Sequence, residues 1–406
     1  MTLQPAPHPA WRLVPLALAL AAATLGPAAC GGGDTAPDEA QLAAAGRDIF
    51  RFETFGDEAQ WTDALRMHEV IERAVTPRLA LGVGLKVDAE ALPAQVVEAL
   101  RKGQVDLDSA ATTVALIKMN AVVGVKGVVE SVNGVDRLKR VGITCALCHS
   151  TVDDSLAKGI GKRLDGWANR DLDPGAIIAL SPVLGEAAKA AYRSWGKGKF
   201  DPRFNVDGKS KPVVIPPAYG LKDVPKVTYT GDGDEVAYWN RYVAVVEMGG
   251  QGSFSEPRLN LAITHGTQDL VSDKLPALQA YQLSLAPPPA PAGSFDPLAA
   301  ARGRILFAGV AQCATCHTGT TFTDAAARLH PPQASMAEPE SPSYASRSAT
   351  KMYRTTPLRG GWQHPPYFHD GSAPSHEDAV QAYNRRLGLG LGAQEISDLA
   401  HYLRSL

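Results

Sequence analysis

The sequence predicts a mainly α protein made of two helical units, the first much enlarged by insertions and long loops. Three observations carry this. The pattern Cys145-Ala146-Leu147-Cys148-His149 returns as Cys313-Ala314-Thr315-Cys316-His317. Each copy is bracketed by similar segments. Gly46-Arg47-Asp48-Ile49-Phe50 ahead of the first is answered by Gly303-Arg304-Ile305-Leu306-Phe307 ahead of the second, and the stretch from Leu278 to Leu285 by the one from Leu399 to Leu406, matched at Leu, Tyr, Ser and Leu. Between the two units runs Ala286-Pro287-Pro288-Pro289-Ala290-Pro291-Ala292-Gly293, which favours extended chain over helix.

Residues 1–30 stand apart from the rest. Arg12 precedes an apolar run from Leu13 to Leu25, too short to span a bilayer comfortably and of the length of a signal-peptide core. Ala28-Ala29-Cys30 followed by three glycines resembles a bacterial lipoprotein cleavage box, with Pro27 where an aliphatic residue is usual. The expectation is an exported, periplasmic protein with a lipid anchor at Cys30; the alternative is a plain cleaved signal in which Cys30 has no role. Residues 31–41 are small and polar and read as a disordered tether. Net charge is −2 and charged residues make up 20% of the chain, so nothing in the composition calls for nucleic acid or an anionic membrane surface.

The first unit covers 42–285, the linker 286–294 and the second unit 295–406. Ahead of the first motif, 58–74, 92–103 and 108–121 have helical periodicity and should pack around or over whatever the motif holds. They end at a Gly-rich stretch, Val122 to Gly134. Residues 165–175 and 200–235 are turn-rich, and 236–248 returns to helix. The second unit should contain a helix around Ala299–Phe307 and a polar loop at 318–350 with Pro331, Pro332, Pro339 and Pro342.

C-x-x-C-H is the attachment spacing of c-type haem. Two thiols so placed each form a thioether to one vinyl group of a porphyrin, and the adjacent histidine becomes the proximal ligand. The reading assigns two covalently bound haem c groups, one on Cys145 and Cys148 with His149, the other on Cys313 and Cys316 with His317. They use four of the five cysteines. A structural zinc site made from both pairs would leave the two histidines unexplained. Disulfides within the pairs would lack the βαβ context of thioredoxin-like sites.

The bracketing segments resemble the first and last helices of class I cytochromes c, where a glycine lets the helices approach and aromatics bury their contact. Tyr353-Arg354-Thr355-Thr356-Pro357-Leu358-Arg359, Pro366-Tyr367-Phe368-His369-Asp370-Gly371 and Glu377-Asp378-Ala379-Val380 resemble the C-terminal domain of bacterial di-haem cytochrome c peroxidases, a superfamily that includes MauG-type enzymes and rubber oxygenases. The resemblance covers 303–406 well and the first unit less well. It implies haem attachment outside the cytoplasm, and places a sixth ligand of the second iron at Tyr383, where peroxidases carry Met. His369 is the second choice as ligand and fits better near a haem propionate; Met352 and His364 trail.

The same resemblance implies that chemistry occurs at the first haem. There Val246-Glu247-Met248-Gly249 keeps a Glu-Met pair at nearly the family distance, while Tyr229 and Asp232 replace the family's Trp and Arg. Glu247 would be the catalytic acid/base, unless Met248 closes the site as a ligand. Trp239 or Tyr229 would serve as an electron relay or simply as core. His68 and His265 are alternative distal ligands, with a structural role the simpler reading. The expected function is peroxide reduction at the first haem with electrons entering at the second, supplied by a small redox donor protein or a quinol-linked cytochrome. The alternatives are a pure electron carrier and a MauG- or oxygenase-like enzyme acting on a larger substrate.

Overall fold

A computed structural model describes residues 38–334, 336 and 343–406. The signal-peptide stretch 1–30, Cys30, residues 31–37 of the tether, and Pro339 and Pro342 lie outside the described residues. Residues 38–406 form one compact unit. Helices dominate, and among the described residues five small two-stranded ladders accompany them. None of the described helices is long and apolar enough to cross a membrane.

Two helix crossings, built alike, dominate the packing. The helix Glu39–Phe52 starts at an Asp38 cap and crosses Leu275–Ser284. At the crossing a Cβ on Gly46 would stand 1.9 Å from the Ala277 carbonyl oxygen, so only glycine fits. Phe50 meets Tyr281 edge-to-face, centroids 5.5 Å apart. The helix Pro297–Ala308 has Asp296 as cap and proline at its first turn, as helix starts favour, and crosses Ala393–Ser405. A Cβ on Gly303 would lie 2.0 Å from the Asp398 carbonyl oxygen, and Phe307 meets Tyr402 edge-to-face at 5.2 Å. The repeated Gly and aromatic positions of the sequence are therefore the contact points of both crossings.

Ahead of the first motif the structure departs from the sequence reading. Residues 58–74 divide into a π-helical turn, Ala59–Ala64, and the helix Met67–Ala74. Ala94–Arg101 and Ala110–Lys118 are helices as expected. The Gly-rich stretch is not a mere helix end: Val125–Val132 and Val135–Ile143 form an antiparallel hairpin. Its turn is Asn133-Gly134, both at positive φ, the pairing that type I′ turns require. The hairpin and Ala110–Lys118 share a core with Trp61, Leu65, Val114, Ile117, Leu138 and Val141.

The linker 286–293 contains no helix, as expected, but it is pinned near its start. Pro287 packs on Gly220, and the Pro288 carbonyl accepts a hydrogen bond from Trp362 Nε1 at 3.1 Å.

Candidate functional site

The first motif forms a single helical turn, Ala146–His149. A turn that short cannot satisfy its own backbone groups, and neighbouring loops do so. Thr144 N donates to the Gly124 carbonyl, Asn169 N to the Cys148 carbonyl at 2.9 Å, and Gly166 N to the His149 carbonyl at 2.8 Å. Gly124, at φ +79°, lies so close to Leu147 that a Cβ would fall 2.2 Å from its nitrogen. The hairpin thus holds the motif from one side and the loop 165–169 from the other.

His149 Nδ1 lies 3.0 Å from the Pro216 carbonyl oxygen. That contact puts the proton on Nδ1 and leaves the Nε2 lone pair as the free ligand atom. Burial depresses the imidazole's affinity for protons to a pKa of about 4, so the ring is neutral. Burial also pushes the Cys145 and Cys148 thiols up to about 12. All three side chains line a cavity of about 600 Å³, within the range of pockets that hold cofactors and other small molecules. Its walls are mainly apolar, with Trp61, Leu65, Ile177, Tyr192, Trp195 and Ile215 among them. A cavity of this size, with two thiols and a neutral, oriented imidazole at one side, fits a haem held by Cys145, Cys148 and His149.

Glu247 also lines the cavity, from the π-helical turn Val243–Glu247 that continues the helix Val236–Tyr242. Both its carboxylate oxygens are buried without a hydrogen-bond partner. Tyr242, beside it, donates its hydroxyl to the Pro202 carbonyl instead. Burial drives the Glu247 carboxyl well above the usual carboxylate range, and the nearby Asp201 adds to the rise. Met248 reaches the same cavity; its carbonyl accepts from Trp61 Nε1 at 3.2 Å. Tyr229 and Trp239 line the cavity as well, and Trp239 stacks on Tyr242 at 4.6 Å. Neither His68 nor His265 reaches it; His265 is exposed at the end of the strand Leu261–His265. The helices Ala94–Arg101 and Ala110–Lys118 do not line it either, so the expectation that all three early helical segments cover the first site holds only for 58–74, through Gln60, Trp61 and Leu65.

Behind the cavity wall lies a buried charge network that the sequence did not reveal. Arg203 donates to Asp232 at 2.5 Å and to Thr230 at 3.1 Å, and its guanidinium stacks 4.6 Å above the Tyr344 ring. Arg347 donates to Asp201 at 2.9 and 3.1 Å and to Asp207 at 2.7 and 2.8 Å. Asp232, read as a lost Arg, is instead the carboxylate partner of an Arg supplied by another loop.

At the second motif, His317 Nδ1 lies 3.0 Å from the Phe322 carbonyl oxygen, repeating the arrangement of His149. Burial again lowers its proton affinity. Cys313 packs in the core of Phe307, Val380 and Leu399. Tyr383, on the helix His376–Leu387, is half-buried; desolvation and then the nearby Cys313 and Cys316 push its phenol up. The donor set again fits a covalent haem, held by Cys313, Cys316 and His317.

Residues 300–406 match the cytochrome c family model. This segment is a cytochrome c domain. It binds haem c covalently and serves haem-based redox and electron transfer, and the chain has a mainly α, cytochrome c-like fold. Among solved structures, the chain is similar to hydrazine synthase of Kuenenia stuttgartiensis, studied under xenon pressure, at 19% identity over 52% of this chain and 74% of that one, with a TM-score of 0.33. It is also similar to a MauG-like protein associated with microbial copper homeostasis, at 18% identity over 50% of this chain and 75% of that one, TM-score 0.33. No curated protein matches.

Inside the cytochrome c domain, His369 is buried in an aromatic cluster. It is stacked among Tyr344, Tyr353 and Tyr229, with ring centroids 5.8, 4.9 and 6.4 Å away. His364 lines the cavity of the first motif, and Met352 does not.

Proposed function

We propose that the chain is an exported di-haem c-type cytochrome that reduces hydrogen peroxide at the first motif and takes up electrons at the second, in the manner of the di-haem peroxidase and MauG superfamily its C-terminal sequence resembles. The observation that carries this reading is Glu247, a buried carboxyl with no partner, lining the same cavity as Cys145, Cys148 and His149. A carboxyl kept neutral by desolvation is a proton donor waiting for a substrate. The haem, when bound, supplies the electrons that break the O–O bond. Glu247 hands its proton to the departing oxygen, and the apolar walls around it keep bulk water from competing for that proton.

The same reading takes Cys30 as a lipid anchor on the periplasmic side, a small redox protein or quinol-linked cytochrome as electron donor, and Tyr383 as sixth ligand of the second haem. The pure carrier is the second reading, supported by Met248 on the wall of the same cavity.

Peptide mass spectrometry of the mature protein should find one haem on Cys145 and Cys148 and another on Cys313 and Cys316. Peroxide turnover by the reduced protein should fall about 10²–10⁴-fold in Glu247→Gln, with haem content and electron uptake intact. No turnover by the parent protein, with a low-spin first haem indifferent to cyanide, would leave the carrier.

A further inference from the structure

Among the described residues, two guanidinium groups, one on the cavity of the first motif and one behind its wall against His364, have no carboxylate counter-ion. Arg354, within the cytochrome c domain, lines that cavity. Its Nη1 donates to the Lys226 carbonyl, and its Nε is buried without any partner. Arg170, on the loop after the first motif, donates through Nη2 to the His364 carbonyl at 2.7 Å and stands 3.4 Å from His364 Nδ1, while its Nε and Nη1 are buried and unpartnered. Among the described residues neither arginine forms an ion pair with a carboxylate. Elsewhere in this molecule buried arginines do: Arg203 pairs with Asp232, Arg347 with Asp201 and Asp207, Arg163 with Asp88.

A buried cation without a partner is costly, and the cost disappears when an anion completes the site. Burial lowers the Arg354 pKa to about 10, and the Tyr229 phenol is its only offsetting neighbour, as expected of a guanidinium lacking its carboxylate. His364 completes the group: its Nδ1 faces the Arg170 donor, so its proton sits on Nε2 and adds another N–H donor at the cavity wall. Nitrogen donors clustered this way, two of them forked, match carboxylates.

We propose that Arg354, with Arg170 and His364, forms the site for the carboxylate groups of the porphyrin attached at Cys145 and Cys148. The proposal rests on the reading that the first motif carries a haem. It goes beyond that reading by making the first haem's site incomplete without a residue of the cytochrome c domain. The cluster positions the porphyrin edge and its charge; it does not touch the reacting oxygen atoms.

The test is a spectroelectrochemical titration of the full-length holoprotein and its Arg354→Leu, Arg354→Lys and Arg170→Leu variants, combined with peptide mass spectrometry and resonance Raman of the propionate bending modes. Loss of a cation beside a porphyrin carboxylate favours the oxidised, more positive haem. Arg354→Leu and Arg170→Leu should therefore lower one of the two midpoint potentials, leave the other alone, make the lowered one depend on pH near neutrality and shift the propionate bands. Arg354→Lys should restore most of the potential. If Arg354→Leu does not accumulate, Arg354→Gln takes its place. Haem attached at Cys145 and Cys148 with unchanged potentials and Raman bands in both Leu variants overturns the proposal. So does an unchanged first-haem potential together with Arg354-dependent binding of succinate to the parent protein, which would make the anion a soluble carboxylate. Absence of haem from Cys145 and Cys148 in the parent protein overturns the two-haem reading instead.

Discussion

Single residues here are set by what burial does to their protonation. Asp57 is fully buried; its Oδ2 accepts from Ile143 N at 3.1 Å and its Oδ1 has no partner, packed where Gly142 leaves no room for a Cβ. Desolvation lifts this carboxyl to about 9. The folded protein therefore holds a proton that the unfolded chain releases near 3.8. Between those values the native state binds more protons than the unfolded state, so stability must fall as pH rises. Asp57 alone contributes a slope of up to about 1.4 kcal/mol per pH unit. Urea unfolding from pH 5 to pH 8 should show this decline, and Asp57→Asn should flatten it. An unchanged slope in the variant would mean that Asp57 is ionised in the fold. Tyr383 is the corresponding residue at the second motif. On the proposal that its phenolate is the sixth ligand, Tyr383→Phe should leave the haem attached, change its spin state and raise its potential. Optical spectra and a redox titration check this; if both stay as in the parent, His369 is the next candidate.

Among the elements, the two helix crossings show which parts of the sequence speak plainly. Gly46 with Phe50, and Gly303 with Phe307, could be read as contact residues because close approach leaves a specific signature: a glycine, then an aromatic one turn later, repeated ahead of each motif. A methyl group at Gly303 would meet the Asp398 carbonyl at 2.0 Å, and one at Gly46 the Ala277 carbonyl at 1.9 Å. Both obstacles are backbone and cannot swing aside, so Gly303→Ala and Gly46→Ala should each destabilise by about 1–3 kcal/mol or more, despite alanine's higher helix propensity. Thermal unfolding measures it, and a neutral or stabilising outcome would show that the helices are not in contact there.

The hairpin Val125–Ile143 was legible in principle, since Asn133-Gly134 between β-branched stretches is a hairpin signal, but the glycines around it read more readily as a helix end. The motif cysteines and histidines could be singled out because local spacing carries them, and Glu247 because the resemblance to di-haem peroxidases points to it. Arg170, Arg203, Arg347 and Arg354 could not be. Each is one arginine in a loop, and what makes it matter is a carboxylate, a ring or an orphaned buried nitrogen brought close by chain folded from far away.

At the scale of the whole molecule, the cytochrome c domain reaches into the first site as part of its wall. Thr320, Thr321, Tyr344, Arg354, Pro357 and His364 line the cavity of Cys145 and Cys148. Arg347 anchors this arrangement. Its side chain is 4% exposed, that of its partner Asp201 0%, and its second partner Asp207 lies on the helix Phe204–Asp207. Nearby, Ala349 N and Thr350 Oγ1 donate to Asp232 and the Thr230 carbonyl, so the segment 347–350 is stitched to two loops of the first unit. The pairs matter less for the attraction between their charges than for the cost of breaking them. In Arg347→Met, Asp201 stays buried with no counter-charge, a defect worth about 3–5 kcal/mol. That loss is expected as a lower urea midpoint for the whole 38–406 unit, in one transition, because the segment holds parts of both units together. Asp201→Asn in the same background should recover part of the loss, since it removes the stranded charge. The Glu247 carboxyl gives a second readout: Arg347 lowers its pKa and Asp201 raises it, so Arg347→Met should move the alkaline limb of the peroxide-reduction profile upward and the added Asp201→Asn should bring it back. A loss below about 1 kcal/mol, or two separate unfolding transitions in the parent protein, would mean that the cytochrome c domain rests against the first site without being locked into it.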